Sequence, residues 1–330
     1  MFIPMVELNK MNSNLTFLSL NVRGLRDKVK RRNVLEWCNL KGSNIIFLQE
    51  TYSTPEVEEH WKLDWRGPMI FSHGTNHSKG VLVLITQNIG FKIEQTVVDG
   101  EGRYIFLKGE VQGVKVLLCN VYFPTKDKER LQVEFLVKLD KVMFDLEVRD
   151  HVILLGGDFN TIMNCELDYL GLNTVFKVKV RDLLVNFLSK YDLIDIWRKR
   201  NAQERQFTFR QKWPVVQSRL DYWFISSKLE KLVCVSDMLI SITPDHSGIR
   251  IKFRHMVDKL CYGKSYWKFN NSLCLDKEFV EGMKSEILNL DEKWRPQIGN
   301  KVVFWDFIKM KMREYIIRYS SGKAKKEEKN

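Results

Sequence analysis

The sequence predicts an α/β protein in which two β-sheets pack face to face with helices outside, followed by a helical C-terminal extension. Three observations carry this expectation. Short β-branched or aromatic segments, bounded by Gly, Asn, Asp or Pro, recur through the first 256 residues. They outnumber the helical stretches between them and often pair as hairpins, unlike the regular alternation of a dinucleotide-binding fold. Beyond about residue 257 the pattern becomes helical only.

In chain order the strand segments are LTFLSLNV (15–22), NIIFLQET (44–51), GVLVLIT (80–86), RYIFLKGEV (103–111), VKVLLCNVYF (114–123), HVILLGGDF (151–159), FTFR (207–210), SRLDYWFIS (218–226) and SDMLISI (236–242). Helices fall between some of them. KRRNVLEWCNL puts Val34, Leu35 and Cys38 on one face, and the stretch 130–146 does the same with Leu131, Phe135, Leu139 and Val142. Residues 180–197 read as a third helix. In the extension, 279–290 and 302–320 are amphipathic, with Trp305, Ile308, Met312 and Ile316 lining one face of the second. The charged end SSGKAKKEEKN is expected to be disordered. The division is therefore a lead (1–13), a main domain (14–256) and a helical extension (257–330).

Composition narrows the class. Hydrophobic residues are 44% and charged residues 28%, the balance of a water-soluble domain with ample core. No apolar run is long enough for a membrane helix, and the start lacks the basic-then-apolar order of a signal peptide. The six cysteines are scattered without a CxxC or a close Cys/His pair, which points to buried reduced thiols and an intracellular protein, not a thiolate zinc site. A net charge of +12 favours a polyanionic partner, nucleic acid before anionic membrane.

Several strands end in polar residues of one kind: Asn21, Glu50, Asp158 with Asn160, Asp221, and Asp245 with His246. An Asn or Asp after a strand is ordinarily a turn former. Glu50 behind Ile-Ile-Phe-Leu-Gln and Asp221 inside SRLDYWF are less ordinary, because a buried carboxylate must pair, protonate or bind a cation. No Ser or Cys nucleophile stands beside a base, and no Lys-Ser/Thr follows GGDFN to make a phosphate loop. Hard oxygen donors and one imidazole remain. They suit Mg2+, or Mn2+, acting on a phosphodiester.

The ordered series LSLNVRGLR, IIFLQET, NVYFP, GGDFN, SRLDYWFIS and PDHSGI resembles the endonuclease/exonuclease/phosphatase superfamily, nearest to the apurinic-type endonuclease domain of LINE-type retrotransposons. The resemblance implies a four-layer αββα sandwich of two mixed sheets and a magnesium-dependent DNA endonuclease that nicks one strand by water attack. Carried over position by position, it makes Glu50 the principal metal ligand with Asn21 beside it, and Asp245 part of the acidic cluster. Asp158 would activate water, Asn160 hold a phosphate oxygen, Tyr122 touch the scissile phosphate or leaving group, and His246, oriented by Asp221, polarise the phosphate. Thr208 matches the threonine that opens a DNA-contacting hairpin. Arg23 departs from repair relatives that carry an acid there, and Pro244 stands where many carry serine.

Two basic stretches flank the motifs. Residues 23–32 hold six basic residues against Asp27, and Arg198 to Arg219 hold seven against Glu204. Arg23, Arg210 and Arg219 are expected on DNA phosphates. Trp213, at the tip of RQKWPVV, would probe a base step, with a core role as the alternative. The segment 265–283 resembles the linker that precedes a reverse transcriptase, a module absent from this chain. The expected partner is double-stranded DNA, with no membrane, a monomeric state and a nuclear location. The alternatives are exonuclease III-like abasic-site repair, and a DNA-binding remnant that no longer cuts.

Overall fold

A computed structural model describes residues 14–87, 89–125, 128–171, 178–240, 242–254, 269 and 271–327. The lead 1–13 and most of 255–270 lie outside the described residues. Fifteen strands are present among those described: β1 (Leu15–Asn21), β2 (Ile45–Gln49), β3 (Met69–Ser72), β4 (Val81–Ile85), β5 (Lys92–Val98), β6 (Tyr104–Val111), β7 (Val114–Tyr122), β8 (Val152–Asp158), β9 (Tyr169–Leu170), β10 (Leu193–Asp195), β11 (Phe209–Gln211), β12 (Val216–Ser218), β13 (Asp221–Ser226), β14 (Val233–Leu239) and β15 (Gly248–Phe253). One six-stranded sheet runs β14-β15-β1-β2-β4-β3, a second runs β10-β13-β8-β7-β6-β5, and β11-β12-β9 form a small third.

Both large sheets are mixed. Each has a single parallel pair at its centre, β1 with β2 and β7 with β8, and antiparallel neighbours outside it. The parallel pairs follow from helical crossovers. The helix Lys28–Leu40 joins β1 to β2, and Glu129–Asp145 joins β7 to β8.

Side-chain alternation then builds three apolar layers. Phe17, Phe47, Leu118, Leu154 and Ile225 fill the space between the sheets. Leu18, Leu20 and Ile46 face outward against Val34, Leu35 and Cys38. Leu117, Ile153 and Leu155 face outward against Phe135, Leu139, Leu184 and Phe187. Strands covered on both faces need near-continuous apolar sequence, which is why these runs read so clearly. The layers are those of the expected αββα sandwich.

Several local expectations shift. Leu131 is exposed, and the buried face of its helix is carried by Gln132, Phe135, Leu136, Leu139 and Met143. The stretch 180–197 is three elements: a helix Val178–Lys190, the strand β10, and a short helix Ile196–Arg200 capped by Asp195. Edge strand β5 is almost wholly exposed, Ile93 and Val98 included, so it carries little signal of a buried strand. Five cysteines are described and all are free, but only Cys38 and Cys119 are buried; Cys274 is exposed.

The described chain divides into two compact units, residues 1–261 and 262–330. The second is a helical pair, Lys277–Trp294 and Lys301–Glu327. Phe279 and Met283 meet Ile316, while Leu290 meets Phe304 and Ile308, so the helices run antiparallel. Phe304 takes the inward position expected for Trp305, which is 59% exposed. Asp276 caps the first helix and also accepts from Tyr319 Oη at 2.9 Å and Lys323 Nζ at 2.8 Å. The second helix continues to Glu327, into the tail expected to be disordered. Alanine, lysine and glutamate are strong helix formers, and that preference outweighs the charge of the segment. Residues 328–330 lie outside the described residues.

Candidate active site

The two parallel pairs aim four strand ends at one rim. Asn21 ends β1, Glu50 follows β2, Tyr122 ends β7 and Asp158 ends β8. Asp221, the first residue of antiparallel β13, lies directly across from Asp158 in the sheet register. The two glycines before Asp158 are there for clearance. A Cβ on Gly156 would meet the Trp223 ring at 2.5 Å, and one on Gly157, at φ +142°, would meet the Val121 carbonyl oxygen at 1.9 Å. No other residue lets β8 lie this close to its neighbours.

The polar side chains connect. Asn21 Nδ2 donates to Glu50 Oε1 and to Asp158 Oδ2, both at 2.9 Å. Its oxygen accepts the Arg23 backbone N–H at 3.1 Å, which fixes the amide orientation. Asn21 therefore turns its N–H2 to the carboxylates and keeps one oxygen lone pair free. Glu50 Oε2 accepts from Tyr52 Oη at 3.0 Å, a contact the sequence did not suggest. Asp158 Oδ1 accepts the Asn160 backbone N–H at 2.9 Å, and Asn160 Nδ2 donates to the Phe123 carbonyl at 3.0 Å. Arg23, Glu50, Tyr52 and Asn160 all have φ between +46° and +56°, a conformation non-glycine residues seldom adopt.

His246 completes the centre. Its Nδ1 lies 2.9 Å from Asp221 Oδ2, and its Nε2 lies 3.9 Å from Asp158 Oδ2. The second distance is too long for a hydrogen bond and leaves room for a bridging atom. Asp158, Asp221 and His246 are each at least nine-tenths buried. Burial, then the negative charge of Asp221, pushes the Asp158 carboxyl up to about 7. Burial opposes the charged imidazole, yet Asp221, Asp158 and Asp245 outweigh it and push His246 up to about 10. Burial and Glu50 push the Tyr52 phenol up to about 12. Burial, followed by Glu50 and Asp158, also raises Tyr122, whose ring packs under Arg103 at 4.9 Å.

The hairpin β11–β12 is tied to this centre through its backbone. Arg210 N–H donates to the Asp245 carbonyl at 2.8 Å, Ser247 N–H donates to the Thr208 carbonyl at 2.7 Å, and the Phe209 ring lies 5.1 Å from the His246 ring. Thr208 is fully buried, and its Oγ1 accepts from Leu220 N–H at 3.0 Å and Asp221 N–H at 3.1 Å. It holds the start of β13 and offers no surface to a ligand, contrary to the expected DNA contact. Arg219 departs likewise. It is 1% exposed, paired with Asp168 through Nε at 2.8 Å and one terminal nitrogen at 2.9 Å, and with Asp195 at 2.7 Å through the other. Its partners lie far away in sequence, so a count of local charge cannot show that it is neutralised. Arg31 in the other basic stretch is similarly buried against Asp64 at 2.8 Å.

Arg23 and Arg210 do reach the surface. With Phe209, Gln211, Lys212, Pro244 and Asp245 they line a groove of about 420 Å³ beside the centre. Trp213 is 86% exposed, which removes the core alternative. Sequence reasoning also missed a buried polar staple just beneath the site. Gln49 Nε2 donates to Ser19 Oγ at 3.0 Å and to Asn120 Oδ1 at 2.7 Å, while Asn120 Nδ2 donates to the Leu48 and Leu82 carbonyls at 3.2 and 3.0 Å. Polar letters inside apolar runs, as in FLQE and LCNVY, were its signal.

The donor set fits a hard divalent cation. Asp221 Oδ1 and Asp245 Oδ1 are buried with no hydrogen-bond partner among the described residues. Ligand atoms of Asp158, Asp221 and His246 all lie within 4.8 Å of one another. His246 is drawn toward its protonated form by Asp221, which disfavours it as a ligand and leaves carboxylate oxygens as the better donors.

The sequence profile of the Endonuclease/Exonuclease/phosphatase family matches residues 18–240. The Transposon TX1 uncharacterized 149 kDa protein of Xenopus laevis is 30% identical over 273 residues, which is 82% of this chain and 20% of that protein. The chain thus spans about a fifth of that relative. Among solved structures, the AP endonuclease LMAP of Leishmania major superposes with a TM-score of 0.62 at 17% identity, covering 73% of this chain and 88% of that one. An AP endonuclease of Archaeoglobus fulgidus gives 0.57 at 17% identity over 72% and 99%. These two similarities show the fold.

Proposed function

The chain belongs to the endonuclease/exonuclease/phosphatase family, and from that premise we propose that it is a metal-dependent DNA endonuclease that nicks one strand by water attack. The observation that carries the proposal is the pairing of Asp158 with His246 Nε2 across 3.9 Å at the rim where both sheets end. Two buried groups of opposite preference face each other there. One carboxyl sits near neutral and can take a proton, and one imidazole is held cationic by Asp221.

In this reading Asp158 accepts the proton of the attacking water, oriented by N–H groups from Asn21 and Asn160. His246 Nε2 donates to a phosphate oxygen as negative charge gathers there. Tyr122, whose hydroxyl is kept neutral by burial, donates to the same phosphate or to the departing oxygen. Glu50 and Asp245, with Asn21 Oδ1, would hold a divalent cation, Mg2+ or Mn2+, whose chemistry is to neutralise charge on the phosphate and the leaving oxygen. The products are a 3′-hydroxyl and a 5′-phosphate. Arg23, Arg210 and Trp213 face the duplex from the groove and the hairpin tip.

The relative in Xenopus laevis is a transposon protein, which supports a transposon origin. In this reading the polymerase module lies elsewhere in a longer protein, and the nuclease acts as a monomer on chromosomal DNA in the nucleus. No helix among the described residues is long and apolar enough to cross a membrane. The test is nicking of supercoiled plasmid with Mg2+, beside EDTA, Asp158→Ala and His246→Ala, and beside a duplex with one abasic site. Nicking of intact plasmid that is lost in all three controls is expected. Cleavage of the abasic duplex alone would transfer the assignment to repair, and salt-sensitive binding without cleavage would mark a remnant.

A further inference from the structure

Asp245 is offered two partners at once. Its Oδ2 lies 2.8 Å from a terminal nitrogen of Arg23, while its Oδ1 is buried with no partner among the described residues. Arg23 is anchored by its backbone, through its N–H to Asn21 Oδ1 and through its carbonyl to Lys30 Nζ at 2.8 Å. Its side chain is 61% exposed against 15% for Asp245, and it lines the groove with Phe209, Arg210 and Lys212. Glu50 lies in the same electrostatic neighbourhood, since both Tyr52 and Lys30 feel Glu50, Asp245 and Arg23 together.

We propose that Arg23 and a divalent cation compete for the carboxylate of Asp245, and that a DNA backbone phosphate decides the competition by drawing the guanidinium away. This rests on the metal-dependent reading above. A guanidinium on Asp245 occupies one of its oxygens and places a positive charge where the cation must sit. An exposed arginine gains about as much from a phosphate diester as from a carboxylate, because its planar fork fits both. The exchange moves no covalent bond. It makes the free protein a weak cation binder and couples cation recruitment to substrate, so that Arg23 is a positioning residue for Asp245. A unit charge about 5 Å from a divalent ion in water-like surroundings changes the affinity about tenfold.

The experiment is Mn2+ binding, read as loss of the free-ion paramagnetic resonance signal, on the full chain without DNA. Arg23→Gln should bind Mn2+ about tenfold more tightly than the native chain. Arg23→Lys should stay near the native value, and the gain should vanish in Asp245→Asn. Arg23→Gly, which suits the φ of +46°, is the second neutral variant should the glutamine not fold. In an Asp158→Asn background that stops turnover, a short duplex should tighten Mn2+ binding to the Arg23 chain and not to its glutamine variant. Unchanged or weaker binding in both neutral variants, or equal tightening by DNA with and without Arg23, would overturn the proposal. If Glu50→Gln still abolishes binding, the metal-dependent reading survives that result. Absence of Mn2+ binding in every chain, with and without DNA, would overturn both.

Discussion

Arg219 separates two accounts of the basic stretch, because local charge assigns it to DNA and the fold assigns it to the core. Arg219→Ala removes a 1% exposed guanidinium that binds Asp168 twice and Asp195 once, and that lies 5.1 Å over the Trp197 ring and 4.4 Å over the Tyr222 ring. Breaking a buried ion pair from one side costs about 3–5 kcal/mol, because the remaining charge is left without compensation. Asp168 is fully buried but keeps Arg198 and the Asn164 N–H at 3.1 Å, which places the loss toward the lower end, about 3 kcal/mol. At about 2–4 °C per kcal/mol for a domain of this size, the melting temperature should fall by about 6–12 °C. Urea unfolding measures the first quantity, a thermal scan the second, and the salt dependence of duplex binding a third. That salt slope should be unchanged, since a buried residue releases no counterion. Stability held within about 1 kcal/mol together with a slope reduced by about one would refute the structural assignment and restore Arg219 to the DNA face.

Three further outcomes follow from particular contacts. Thr208→Val keeps the shape but removes the acceptor for the Leu220 and Asp221 N–H groups, so two buried donors lose their partner. A loss of about 2–4 kcal/mol in urea unfolding is expected, with a fall in nicking rate because Asp221 no longer starts β13 in place. Trp213→Ala should leave stability within about 0.5 kcal/mol, given its 86% exposure, while weakening duplex binding by about 1–3 kcal/mol in a fluorescence anisotropy titration. In the C-terminal helical pair, hydrogen bonds from Lys323, Tyr319 and the Phe279 N–H depress the Asp276 carboxyl from 3.8 to about 2. A depressed carboxyl stabilises above its unfolded value and loses that contribution as pH falls through the folded one. Tryptophan fluorescence of Trp294 and Trp305 should therefore report loosening between pH 3.8 and about 2, and Asp276→Asn should remove that step.

Much of the site was legible because the strands that carry it are buried on both faces. Asn21, Glu50, Tyr122 and Asp158 then close nearly unbroken apolar runs and Asp221 opens one, so they stand out by contrast. The same contrast failed for β5, an exposed edge whose apolar Ile93, Val97 and Val98 are interrupted by Glu94, Gln95 and Thr96. What local sequence hides is partnership at long range. Arg219 meets Asp168 and Arg31 meets Asp64, each across a loop or a sheet, and a run of basic letters reads the same whether or not those carboxylates are near. Thr208 was found at the hairpin entrance, but the direction of its hydroxyl depends on where β13 begins. Tyr52 and Arg23 lie in loops whose left-handed backbone turns their side chains onto Glu50 and Asp245, and no periodicity records such a turn.

A rim that directs water at a DNA phosphodiester must leave that water's oxygen on the cleaved phosphate. The most direct test is a single turnover with Mg2+ in water enriched in oxygen-18, followed by mass analysis of both ends of the nick. One labelled oxygen in the 5′-phosphate and a 3′ end that a polymerase extends without further treatment are expected, and both should disappear in Asp158→Ala. An unlabelled 5′-phosphate, or a 3′ end that carries the phosphate, would contradict the account.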